Sequence, residues 1–181
     1  ILTLNQLANS PWGQLKMGLQ YLTTQTGPLS MAPSQVGMFA KSNEEEPTPN
    51  IQYHVQPLSL DSFGKPLHEF PGMTLSVCNL RPTSRGSVTL TSNDPKDNPK
   101  IDPNYLSTEY DRRVASESIR HARKLAGTNA VKALQPEEIV PGSSIQTDED
   151  LAKSAGGISA SIFHPVGTCR MGPKDDKKNV V

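Results

Sequence analysis

"IQYHVQP", residues 51–57, alternates Ile51, Tyr53 and Val55 with Gln52, His54 and Gln56. A period of two marks a strand with one face toward a core and the other toward water. The same rhythm returns in "GMTLSVCNLRPTSRGSVTLTS" (72–92), where Leu75 and Val77 alternate, then Val88 and Leu90, around a turn at Ser84-Arg85-Gly86. Together the three stretches 51–57, 72–81 and 86–92 predict an antiparallel sheet. A short strand is predicted at 36–40, an irregular excursion at 58–71 with Pro66 and Pro71, and another extended piece in "IDPNYL".

Helical signals flank these strands. Ser10 and Pro11 open a helix as N-cap and first residue, Leu15, Leu19 and Leu22 follow at helical spacing, and Gly27-Pro28 closes it. The strongest helix is 108–126. Ser107 or Thr108 caps it, Glu109 and Asp111 sit at its positive end, Arg123 and Lys124 at its negative end, and Gly127 stops it. Tyr110, Val114, Ala122 and Leu125 supply its apolar face, with Ile119 beside them. "TDEDLAKSA" (147–155) has a capping pattern from Thr147 to Asp150 and is expected to break at Gly156-Gly157, with "ISASIF" extended after it. The pattern is α+β: an antiparallel sheet with helices packed on one face.

With 181 residues the chain can bury one sizeable core. Eighteen basic residues balance eighteen acidic ones, which argues against a nucleic-acid binder. The hydrophobic fraction of 34% is low for a free-standing domain, so a partner is expected to cover part of the surface. Cys78 and Cys169 form no CxxC motif and read as independent reduced thiols. No apolar run reaches membrane-spanning length. The compartment is left open, with the cytoplasm favoured. There is no GxGxxG turn and no P-loop.

The most chemically loaded stretch is "SIFHPVGTCRMG" (161–172). Pro165 biases His164 toward extended backbone, and Gly167 and Gly172 permit close backbone approach to a flat ligand. A fixed imidazole that titrates near neutrality suits a proton acceptor. The other reading is a loop histidine hydrogen-bonded to backbone, and residue chemistry alone leaves both open. His164 and Cys169 have no second ligand pair at zinc-like spacing, so no metal site is expected. His54 reads as an outward strand position, His121 as a solvated helix position and His68 as a loop residue without a partner; none receives a role.

"FHPVGTCRMG" resembles the C-terminal motif of the glucose–methanol–choline (GMC) family of FAD-dependent oxidoreductases. "YLTTQTGPLSMAPSQVGMFAKS" and "LRPTSRGSVTLTSNDPKDNPKIDPNYLS" resemble the family's segments in the same order, and the likeness covers nearly the whole chain. It is nearest the choline-dehydrogenase-like branch. The resemblance implies that residues 1–163 are a substrate-binding domain. Residues 164–181 would be the histidine motif and the start of the return to a separate FAD-binding domain, with "NVV" opening the returning strand. The chain begins and ends as if cut from a longer one. The resemblance further implies oxidation of an alcohol by hydride transfer to FAD. His164 would accept or hydrogen-bond the hydroxyl proton, Phe163 would shape the substrate cavity, and Val166, Gly167 and Thr168 would lie close to the flavin. FAD is expected in the full-length enzyme and not held tightly by this portion. The partners implied are a small alcohol and the chain's own FAD-binding domain. The alternative is a non-catalytic α+β binding module in which the histidine motif is structural.

Overall fold

The computed structural model describes residues 3–32, 34–62, 64–176 and 179. It contains antiparallel sheets and helices, the α+β class expected, and divides into two compact units. The first unit holds residues 1–80 and 117–139, the second 81–116 and 140–181.

In the first unit, α1 (Leu4–Ala8) and α2 (Pro11–Thr24) precede three strands, β1 (Val36–Ala40), β2 (Ile51–Gln56) and β3 (Thr74–Asn79). They form one antiparallel sheet in that order, with Tyr53 facing Met38 on one side and Val77 on the other. The period-two pattern places Ile51 and Tyr53 on the buried face, both fully enclosed. Asn50 pins the β1–β2 and β2–β3 corners. Its backbone N–H donates to Ala40, its carbonyl accepts from Leu80, and its side-chain oxygen accepts the Ser42 N–H at 2.8 Å. Ser10 caps α2 by accepting the Gly13 N–H, as the sequence predicts. The helix is present but its leucine face is not buried. Met17 and Gly13 are the enclosed residues, and a Cβ on Gly13 would run into the Leu7 backbone. α1 packs on the Gly13 side of the helix, opposite the leucines.

The excursion at 58–71 is irregular, with one bridge between Leu60 and Leu67. It is nonetheless anchored. The Asn5 amide nitrogen lies 3.0–3.2 Å from oxygens of Ser59, His68 and Phe70, and Asn5 Oδ1 accepts the Ser59 N–H at 2.9 Å.

The second unit corrects the predicted sheet. Residues 86–92 do not join the strands at 51–57 and 72–81. Instead β4 (Ser87–Thr89) pairs with β5 (Lys100–Asp102) as a separate two-stranded ribbon. Closing a loop this short costs less entropy than a distant pairing. The turn is also held by its own side chains, Ser92 to Asp97 at 2.6 Å and Thr91 to the Asn98 carbonyl at 2.9 Å.

The helix α3 (Glu109–Ala126) starts where predicted, with the Thr108 hydroxyl accepting the Asp111 N–H. Its first half belongs to the second unit and its second half to the first. A single turn, α4 (Asn129–Lys132), follows. The last helix, α5 (Asp148–Ile158), is capped by Thr147, which accepts the Asp150 N–H at 3.1 Å. Gly156-Gly157 does not break it; two glycines cost only about 1 kcal/mol each against alanine, and the last turn persists to Ile158. Val114 on α3 and Leu151, Ala152 and Ala155 on α5 are this unit's buried apolar side chains among the described residues. No helix of the described residues is long and apolar enough to cross a membrane.

Candidate active site

The histidine-bearing stretch follows α5 as irregular chain. "ISASIF" forms no strand. The Phe163 N–H donates to the Ser161 hydroxyl at 3.0 Å, and Phe163 itself adopts φ 63°, a left-handed conformation unusual for an aromatic residue. That twist turns the backbone immediately before His164. Gly167 adopts φ 92°, which a side chain would oppose, and nothing lies within 4 Å of where its Cβ would be. Beyond it, the Arg170 guanidinium forks onto Asp176 and the Asn179 side-chain oxygen, and Asn179 in turn donates to the Pro173 carbonyl at 2.9 Å. A Cβ on Gly172 would collide with the Asn179 amide. Arg170 therefore folds the segment after the motif back on itself.

His164, Phe163, Val166, Gly167 and Thr168 are all exposed. Among the described residues His164 has no hydrogen-bond partner. The structure places the five predicted site residues on one short run of backbone. Val180 and Val181, where the returning strand was expected, lie outside the described residues.

The other three histidines are placed differently from expectation. His121 is half-buried, and its Nδ1 lies 2.7 Å from the Tyr53 hydroxyl. Burial, reinforced by the Lys124 charge, lowers its pKa, so the neutral ring accepts the Tyr53 proton. Burial raises the Tyr53 pKa, which keeps that proton on the phenol. The signal was available: a tyrosine on the inward face of a strand needs a polar partner. His68 also has partners, Ser59 Oγ and Asp61 Oδ1 at 3.0 Å each, and stacks on Phe70. The Nε2 of His54 is buried rather than outward-facing. His121 borders an open cleft of about 340 Å³ with Ser42, Asn43, Glu44, Glu117, Arg120 and Lys124. Glu117 is held there by Ser42 Oγ at 2.6 Å and by the Asn43 amide at 2.9 Å.

A second carboxylate, in sequence only a helix-end charge, is also anchored. Asp111, almost fully enclosed, accepts the backbone N–H groups of Thr83 (2.9 Å) and Ser84 (2.8 Å) and the Thr83 hydroxyl (3.2 Å). Burial pushes its carboxyl up, but hydrogen bonds from Ser84 and Thr83 outweigh this and hold it below the usual carboxylate range. The Ser84-Arg85-Gly86 turn is thus hooked to the first turn of α3.

Comparison with known proteins gives the setting. A family model described as GMC oxidoreductase matches residues 82–181. The chain is 36% identical over 152 residues to an alcohol dehydrogenase (acceptor) of Pseudomonas putida, covering 84% of this chain and 28% of that protein. It is 36% identical over 161 residues to an oxygen-dependent choline dehydrogenase of Proteus mirabilis (strain HI4320), covering 89% and 29%. Its fold superposes on a solved FAD-dependent oxidoreductase from Chaetomium thermophilum with a TM-score of 0.79, at 18% identity, over 99% of this chain and 37% of that one. The chain spans less than a third of the length of these two curated relatives.

Proposed function

The chain belongs to the GMC oxidoreductase family, and from that premise we propose that it is the substrate-binding portion of a flavin-dependent enzyme that oxidises a CH–OH group, of a choline-like or other alcohol. In this reading residues 1–163 shape the substrate side, and 164–181 carry the histidine motif and begin the return to the chain's own FAD-binding portion.

The observation that carries the reading is the state of His164. A purely structural loop histidine is expected to spend its ring nitrogens on neighbouring backbone. Here the imidazole is exposed and has no hydrogen-bond partner among the described residues, and it stands between the left-handed Phe163 and Gly167. That leaves a ring nitrogen available to a substrate hydroxyl. The acceptor role is to take or hold the hydroxyl proton as the carbinol carbon loses hydride. Phe163, beside it, offers an apolar ring to the substrate's carbon skeleton.

The residues expected near a flavin fit such a group. Gly167 leaves its Cβ position open, and Val166 presents an uncovered apolar side chain, so a flat apolar ring can approach the backbone of Val166, Gly167 and Thr168. When bound, FAD supplies the hydride acceptor. The matched relatives are an alcohol dehydrogenase and a choline dehydrogenase, which supports the CH–OH class.

The test is His164→Ala in the flavin-loaded enzyme, followed by anaerobic stopped-flow bleaching of the flavin at saturating alcohol. Flavin content should stay near wild type and the reduction rate should fall about 10²–10⁴-fold. A variant that keeps its flavin and reduces it at the wild-type rate removes His164 from the mechanism. Lost flavin with normal turnover in the surviving protein favours the structural-loop alternative.

A further inference from the structure

The helix α2 carries an apolar stripe that nothing among the described residues covers. Trp12, Leu15, Leu19 and Leu22 stand 79%, 59%, 60% and 82% exposed. Their spacing of three, four and three residues puts them within one narrow sector of the helix. The opposite sector, with Gly13 and Met17, is the buried one. The stripe is about 15 Å long at 1.5 Å per residue. The 3₁₀ turn Pro28–Ser30 packs on the same helix and adds Leu29, also exposed. Four large apolar side chains in one line are more than scattered surface hydrophobics.

We propose that this stripe is the docking face for the flavin-binding portion of the same polypeptide, an inference that rests on the function proposed above. Two observations choose this occupant. The matched relatives are more than three times as long as the region they share with this chain, 28% and 29% of their lengths, so a large body of protein accompanies this region in them. The helix itself carries a single charge, Lys16, in Pro11–Thr24. A helix lying on a membrane surface would flank its apolar side with several lysines or arginines; this one suits a dry, neutral protein face. The outer edge of β1, with Val36 and Phe39 exposed, is a second uncovered feature of the same unit.

The experiment places a thiol on the stripe by Leu19→Cys, and a control thiol off it by Gln14→Cys, an exposed position on the other side of the helix. Maleimide labelling is read by peptide mass spectrometry, so Cys78 and Cys169 do not interfere. Each variant is made in the full-length polypeptide and in the 181 residues described. In the flavin-loaded full-length protein, position 19 should label at least about 10-fold more slowly than position 14. In the 181 residues the two rates should be alike. Full-length protein that holds flavin yet labels both positions equally overturns this inference and leaves the functional reading standing. Full-length protein without flavin overturns the functional reading and this inference with it. Protection of position 19 in the 181 residues that grows with their concentration identifies a second copy as the occupant, and also overturns it.

Discussion

Replacing Asp111 with alanine should loosen the 81–86 turn from α3 and cost the chain about 2–4 kcal/mol. The carboxylate accepts two backbone N–H groups and one hydroxyl, at 2.8–3.2 Å. Removing it strands the Thr83 and Ser84 donors, and an unsatisfied buried donor costs about 1–3 kcal/mol. Thr83 is exposed, so water recovers part of its loss, whereas Ser84 is half-buried and recovers less. Loss of a negative charge in the first turn of α3 adds about 0.3–1 kcal/mol. With a urea slope of about 2 kcal/mol per molar, the midpoint should drop by about 1–2 M. Asp111→Asn keeps the shape and one acceptor oxygen, and should cost about half as much. The pH dependence has a definite sign. The folded pKa is depressed, so this stabilisation is fully present above the unfolded value of about 3.9 and is lost as pH falls through the folded value. The gap between wild type and Asp111→Ala should therefore close in strong acid. A midpoint within about 0.3 M of wild type near neutrality, or a gap that stays constant into acid, would refute the reasoning.

Tyr53→Phe should cost about 0.5–1.5 kcal/mol by leaving His121 without its donor, measured by denaturant titration. Because burial and Lys124 depress the His121 pKa, its contribution to stability is whole above about pH 6.5 and declines as pH falls through the lower folded value; NMR titration of the ring against thermal midpoints checks this. Gly86→Ala drives a Cβ into the Asp102 and Pro103 backbone and should destabilise the β4–β5 ribbon by about 1–3 kcal/mol, seen as faster amide exchange at 87–89. The 181 residues alone should be colourless after dialysis, since they carry no glycine-rich dinucleotide turn; retained yellow flavin would count against this account of where the cofactor is held.

What could be read from sequence was what is decided within a few residues. Ser10, Thr147 and, for α3, the pair Ser107 or Thr108 are legible as caps because a cap's donor lies three positions away, and the structure selects Thr108 from that pair. The β2 alternation was read correctly because burial has the strand's own period. Choices made over distance were not legible. Ser87–Thr89 could have paired with either neighbour, and side-chain bonds across the 91–98 turn and from Asn104 to the Arg85 carbonyl favour Lys100–Asp102. The leucines of α2 were rightly seen as one face, but periodicity says that a face is apolar, not what meets it. Asp111 and His121 were misread for a shared reason. Each is polar on a helix, and its partner lies 27 and 68 positions away respectively.

Asn5 sets a boundary that element labels do not reveal. The stretch from Ser59 to Phe70 has almost no secondary structure of its own, yet one side-chain amide near the start of the chain holds it at several points. The entropy of ordering that stretch, about 1–2 kcal/mol per residue for backbone, is thus set against contacts made by a residue more than fifty positions earlier. Trimming the chain to begin at α2 would leave every strand intact on paper and still release the excursion. A gene library diversified at Ser62 and Lys65, whose side chains touch Asn5 nowhere among the described contacts, would tolerate change. A library diversified at position 5 would return mostly unfolded loops.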